Sequence, residues 1–129
     1  MKNIIILLFT LIISGSVFGQ KKERLNPRKF SKAVKQTEVV ILDVRTPEEF
    51  SNGHIRNAIN MDWNNFEGFS TEASLLLKNV PVYVYCHSGL RSEKASKWLR
   101  LNGFDQVKDL RGGFEAWKKS DKPITRNKN

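Results

Sequence analysis

Val80-Pro81-Val82-Tyr83-Val84-Tyr85 is a short, unbroken run of β-branched and aromatic residues that ends on the chain's single cysteine, Cys86. A run of this kind does not alternate apolar with polar side chains, so it predicts a strand covered on both faces. Its proline is tolerable only at the beginning, because Pro81 has no N–H to give to a sheet ladder. Val39-Val40-Ile41-Leu42 has the same character, Ala58-Ile59-Asn60-Met61 is a shorter candidate, and Gln106 to Leu110 supplies one more.

Between these runs the apolar period changes. Asn26-Pro27 reads as an N-cap with proline at the first helical position, opening a short helix through Phe30, Ala33 and Val34. Thr46-Pro47-Glu48-Glu49 has capping-box spacing and predicts a helix that stops by Gly53. Phe66, Phe69, Ala73, Leu76 and Leu77 fall at roughly helical spacing within the stretch from Asn64 to Lys78. Ala95, Trp98 and Leu99 form an apolar stripe, and Gly103 and Phe104 close that helix, from about Ser92 to Asn102, in a Schellman ending. A last helix around Phe114, Ala116 and Trp117 follows Gly112-Gly113.

Strands alternating with helices predict the α/β class, with a mostly parallel sheet covered on both sides. At 129 residues, without repeats or an internal linker, there is room for one compact domain. Ligands of such sheets bind outside the carboxyl ends of the strands, where Cys86 falls.

The N-terminus has a different composition. Met1-Lys2-Asn3 is a short positive start, Ile4 to Ile13 is almost wholly apolar, and Ser14 to Gly19 turns small, which is the layout of a secretory signal. Val17 and Gly19 place cleavage between Gly19 and Gln20, so residues 1–19 are expected to be a signal peptide and residues 20–129 an exported, periplasmic domain with short basic ends. The alternative is an uncleaved membrane anchor, for which the basic run Lys21, Lys22, Arg24 speaks. Against it, the apolar run is shorter than the roughly 20 residues of a spanning helix. After cleavage no stable membrane insertion is expected. Losing residues 1–19 removes only Lys2 and lowers the formal charge of +9 by one. The basic ends read as solvated faces, nucleic acid is excluded as a partner by export, and the remaining field favours small anions.

A lone thiol cannot form an intramolecular disulfide, and in an oxidising compartment it needs another explanation. Cys86 stands at a strand end, before the tight loop His87-Ser88-Gly89-Leu90-Arg91 and a helix, where backbone N–H groups and the helix dipole both favour an anion. Arg91 adds a permanent charge that closes the ring or grips an anionic substrate, or else clamps loop carbonyls. These effects are expected to lower the Cys86 pKa and populate the thiolate. His87 reads as a solvent-facing loop residue, with a base as the alternative, and Ser88 as an anion ligand or a helix cap.

Four stretches in this order resemble the single-domain rhodanese family: Asp43-Val44-Arg45-Thr46-Pro47-Glu48-Glu49-Phe50; Gly53-His54-Ile55 with Asn57-Ala58; Tyr85-Cys86-His87-Ser88-Gly89-Leu90-Arg91-Ser92; and Gly103-Phe104 through Leu110-Arg111-Gly112-Gly113-Phe114-Glu115-Ala116-Trp117. The resemblance spans nearly all of residues 20–129. It implies a five-stranded, mainly parallel sheet flanked by helices on both faces. It also implies a sulfurtransferase in which Cys86 takes sulfane sulfur from a small anionic donor such as thiosulfate and passes it to cyanide or a thiol, without metal or organic cofactor. A partner protein for sulfur delivery is compatible with this, and a monomer is expected. Asp43, Arg45 and His54 would hold the strand end and its loops, and Gly112 and Gly113 would supply unusual backbone conformations. Two-domain thiosulfate enzymes of this family bring an additional arginine to the thiol from the helix corresponding to Pro47–Phe50, where this chain carries Glu48 and Glu49.

Three rival functions follow from the same residues. Cysteine phosphatases share the architecture, but their loop has five residues between Cys and Arg and here there are four, a ring suited to a sulfur atom rather than a phosphate. A partner-docking module without turnover commonly lacks the cysteine that is present here. A periplasmic redox sensor would use the same activated thiol.

Overall fold

The computed structural model describes residues 23–126. The expected signal peptide, residues 1–19, lies outside the described residues. Five strands and five helices alternate: β1 (Glu23–Leu25), α1 (Pro27–Ala33), β2 (Val40–Asp43), α2 (Pro47–Ser51), β3 (Ile59–Asn60), α3 (Phe66–Ala73), β4 (Val82–Tyr85), α4 (Leu90–Leu101), β5 (Val107–Leu110) and α5 (Gly113–Lys119). The strands form one sheet in the order β1-β5-β4-β2-β3, and every pairing is parallel. No helix among the described residues is long and apolar enough to cross a membrane.

The central strand β4 is buried along its whole length and sends alternate side chains into two cores. Val82, Val84 and Cys86 join Leu42, Val44, Phe69, Ala95 and Leu99 beneath α3 and α4. Tyr83 and Tyr85 join Phe30, Ile41, Leu110, Phe114 and Trp117 beneath α1 and α5. Phe30 meets Tyr83, Tyr85 and Trp117 edge to face, with ring centroids 5.8, 6.4 and 6.1 Å apart. Pairs of this geometry add about 0.5–1.5 kcal/mol each beyond simple burial.

Local chemistry sets the helix ends. The Asn26 side chain accepts from the Lys29 N–H at 2.9 Å with Pro27 at the first helical position, and Thr46 and Glu49 complete a reciprocal capping box. At the end of α4, Gly103 adopts φ +91° and the Phe104 N–H bonds the Leu99 carbonyl at 3.1 Å, the Schellman closure expected from sequence.

Three expectations need correction. Glu23-Arg24-Leu25 sits in the basic run read as a solvated face, yet it is β1, paired with Lys108, Asp109 and Leu110. The helix expected to reach Lys78 ends at Ala73, and Leu77 is left 69 % exposed, because a turn around Ser74 and Leu75 redirects the chain towards β4. Helix α4 begins at Leu90, two residues before the expected start at Ser92, so its first turn is part of the cysteine loop.

Candidate active site

Cys86 follows the last residue of β4 and is 1 % exposed. Its Sγ accepts the Gly89 N–H at 3.1 Å, and Gly89 is the N-cap of α4. The twelve-residue helix therefore presents its positive end to the sulfur. Gly89 has φ +112°, a conformation in which a side chain would be strained, and a Cβ there would lie 2.7 Å from an Arg24 guanidinium nitrogen.

Behind the sulfur lies a polar network that the sequence did not disclose. Cys86 Sγ is 3.5 Å from the Ser92 hydroxyl, which lies 3.2 Å from both the Gly89 carbonyl and Asp109 Oδ2. One hydroxyl hydrogen serves only one acceptor at a time, so Ser92 can accept from the thiol while donating to either oxygen. Asp109 is 2 % exposed and is held by Arg24, which donates from Nη2 at 2.9 Å and from Nε at 3.2 Å. Arg24 Nη2 also donates to the Gly89 carbonyl at 2.8 Å. Its hydrogen bond to Asp109 raises the Arg24 pKa above the ordinary value, with burial opposing. Strand β1 thus places a cation beneath the loop from 65 residues away.

Arg91 is the last residue of the loop. Its guanidinium is forked onto Glu49, Nη1 to Oε1 at 2.7 Å and Nη2 to Oε2 at 3.0 Å. Glu49 Oε1 also accepts the Thr46 N–H and hydroxyl at 3.2 Å each, so the carboxylate is fixed by the first turn of α2. The Arg91 hydrogen bond, with the Thr46 N–H in support, holds the Glu49 carboxyl down at about 2.

The other loop residues face outward. His87 is half exposed, with Nε2 3.7 Å from Glu115. Ser88 is exposed and Gly89 takes the cap position, so Ser88 does not cap α4. Leu90 is 70 % exposed at the rim.

Asp43 and Arg45 form a buried pair, Arg45 Nη2 to Asp43 Oδ2 at 2.7 Å, and the same Nη2 donates to the Gly53 carbonyl at 2.7 Å. The Arg45 guanidinium lies 4.2 Å from the Phe114 ring centroid. His54 stacks on Phe50 at 3.8 Å, and its Nδ1 lies 2.9 Å from the Phe50 carbonyl. Gly112 and Gly113 have φ +76° and +62°. A Cβ on Gly113 would lie 2.4 Å from the His87 carbonyl oxygen, and the start of α5 binds the loop through Phe114 N–H to Cys86 O at 2.7 Å and Glu115 N–H to His87 O at 3.1 Å.

Sequence reasoning missed Arg24, Asp109 and Ser92. Asp109 left a signal, since an acid in a strand buried on both faces requires a partner. Arg24 left none, because nothing local separates it from Lys21 and Lys22. A cavity of about 690 Å³ bordered by Val39, Ile41, Ile55, Arg56 and Trp117 takes none of its lining from the loop, so this concavity and the Cys86 sulfur are separate features.

A buried cysteine just after a central parallel strand, under the first turn of a helix, places the chain among α/β proteins with a cysteine loop at the carboxyl edge of the sheet. The sequence model of the rhodanese-like domain matches residues 26–120, and the chain belongs to that family. It is 36 % identical over 96 residues to the thiosulfate sulfurtransferase GlpE of Coxiella burnetii, covering 74 % of this chain and 87 % of that protein. It is 33 % identical over 110 residues to the tRNA uridine(34) hydroxylase of Pelagibacter ubique, covering 85 % of this chain but only 36 % of the relative. The chain spans about a third of the length of that relative and of similarly named proteins from Listeria. Among solved structures, a rhodanese-related protein from Thermoplasma volcanium superposes with a TM-score of 0.72 at 26 % identity, covering 81 % of this chain and 99 % of that one.

Proposed function

We propose that the protein is a sulfurtransferase that carries sulfane sulfur as a persulfide on Cys86, taking it from a donor such as thiosulfate and passing it to a thiophilic acceptor such as cyanide or a thiol. The Gly89 N–H lying 3.1 Å from Cys86 Sγ, at the N-terminus of α4, carries this reading. A donor so placed stabilises negative charge on the sulfur both before attack and after the second sulfur has been gained. The Cys86 thiolate attacks the outer sulfur of the donor, the donor's S–S bond breaks, and its electron pair leaves with sulfite or a thiolate. Attack by the acceptor on the outer sulfur of the persulfide returns Cys86 as a thiolate. The recessed position of Cys86 supports this chemistry over ester hydrolysis, since a slim terminal sulfur reaches it more easily than a tetrahedral oxyanion. The likeness to GlpE over most of both chains supports the same activity. The hydroxylase named for the longer relatives is not carried over, because this chain matches only about a third of them.

The test is intact-mass analysis of the purified protein after incubation with thiosulfate or an organic persulfide. One added sulfur atom is expected, removed by cyanide and lost in Cys86→Ser. If neither donor adds sulfur to a folded, reduced protein, the proposal fails.

A further inference from the structure

The two arginines nearest the cysteine loop are tied to acids. Although the sequence is strongly basic, the two arginines at this site are both engaged by carboxylates, Arg24 by Asp109 and Arg91 by Glu49. Glu93 lies 3.9 Å from Arg24, and Glu115 stands 3.7 Å from His87. Glu115 is also 3.8 Å from Lys119, whereas the ion pair of Glu49 is with Arg91.

The Glu49–Arg91 pair is the decisive member. Arg91 belongs to the loop and is its natural anion grip, whereas Glu49 is anchored independently by Thr46. Freeing Arg91 for a substrate means breaking two charge-assisted hydrogen bonds of 2.7 and 3.0 Å to a carboxylate that cannot follow it. Since the Glu49 carboxyl is held at about 2, the clamp stays charged throughout the physiological range.

Building on the sulfurtransferase reading, we propose that Glu49 is a specificity-determining residue: by sequestering Arg91 it selects against doubly charged sulfur donors and favours sulfane sulfur carried on a thiol, that is, an organic persulfide. The charge arithmetic of the two reactions shows why. With thiosulfate, the Cys86 thiolate meets a dianion. A bond forms from Sγ to the outer sulfur, the S–S bond breaks, and its electron pair leaves with sulfite, so three negative charges crowd the mouth in the transition state. With a persulfide R–S–SH, a bond forms from Sγ to the outer sulfur, the S–S bond of the persulfide breaks, and R–S⁻ departs with its electron pair while the proton stays on the transferred sulfur. That reaction carries one negative charge on the reacting sulfurs and leaves the oxidation balance unchanged. With Arg91 held by Glu49, the first reaction is penalised far more than the second.

The experiment compares kcat/KM for thiosulfate and for glutathione persulfide in the wild type, Glu49→Gln and Glu49→Gln/Arg91→Met. Glutamine keeps an acceptor for Thr46, so α2 should remain capped, and thermal melting checks that each variant is folded. In Glu49→Gln the ratio of thiosulfate to persulfide efficiency should rise tenfold or more, and the double variant should lose that gain, because the gain comes from the freed Arg91. If both donors load Cys86 and the ratio changes less than about threefold in folded Glu49→Gln, the selectivity idea is overturned while the sulfurtransferase reading stands, since tenfold is 1.4 kcal/mol and well above assay scatter. If neither donor loads Cys86 in the wild type or in Glu49→Gln, both readings fall together.

Discussion

Arg24 shows how much one side chain does here. It neutralises Asp109 and steadies the Gly89 carbonyl, two groups that sit directly behind the sulfur. Removing one partner of a buried ion pair exposes the remaining charge to a full desolvation penalty. Asp109 is 2 % exposed, so Arg24→Met should destabilise the fold by about 2–4 kcal/mol, lower than for a fully dry pair because Arg24 itself is one third exposed. The second substitution Asp109→Asn in that background should restore part of the loss, since no orphaned charge is left. Urea unfolding of the three proteins measures this, and a double variant less stable than Arg24→Met would show that Asp109 matters for packing rather than for charge.

At the scale of elements, what was legible in the sequence is what is encoded locally. Asn26-Pro27, the Thr46–Glu49 box and Gly103-Phe104 fix helix ends with side chains a few residues apart, and all three stand where expected. Strand β1 was hidden because its identity depends on β5, some 85 residues later, and three residues of mixed character carry no period of their own. The same reason hid the Glu49–Arg91 clamp, whose members are 42 residues apart and meet only once α2 and α4 are placed. Cys86 and its loop could be read because the strand, glycine and helix that make the cradle are consecutive. The join between that loop and α5 gives a prediction of its own. At Gly113, a methyl group would both meet the His87 and Cys86 carbonyl oxygens at 2.4 and 2.6 Å and strain a backbone at φ +62°. Gly113→Ala should therefore cost about 3 kcal/mol or more, several times the penalty of a surface substitution. Thermal melting tests it. A variant within about 0.5 kcal/mol of wild type would mean that α5 shifts freely and that its N–H bonds to the loop are not structural.

For the whole molecule, the question is where the functional unit begins. The family match starts at Asn26, which leaves β1 outside it, although β1 completes the sheet and brings Arg24 to the cysteine loop. Leu25 packs at the edge of the core that contains Phe30 and Leu110, and its carbonyl accepts the Arg111 N–H at 2.8 Å, just before the glycine pair that starts α5. A chain begun at Asn26 would lose these contacts together, exposing the β5 edge and leaving Asp109 without its cation. It should melt roughly 10 °C or more below a chain begun at Gln20, the shift expected when a domain of this size loses about 2–3 kcal/mol. Its Cys86 should also accept sulfur more slowly than in the longer chain at a temperature where both are folded, because the Gly89 carbonyl and the Ser92–Asp109 network are no longer held from below. The two readouts separate the roles of β1. A lowered melting temperature with unaltered sulfur uptake makes it only the edge of the sheet, whereas a fall in both makes this short strand part of the reactive site.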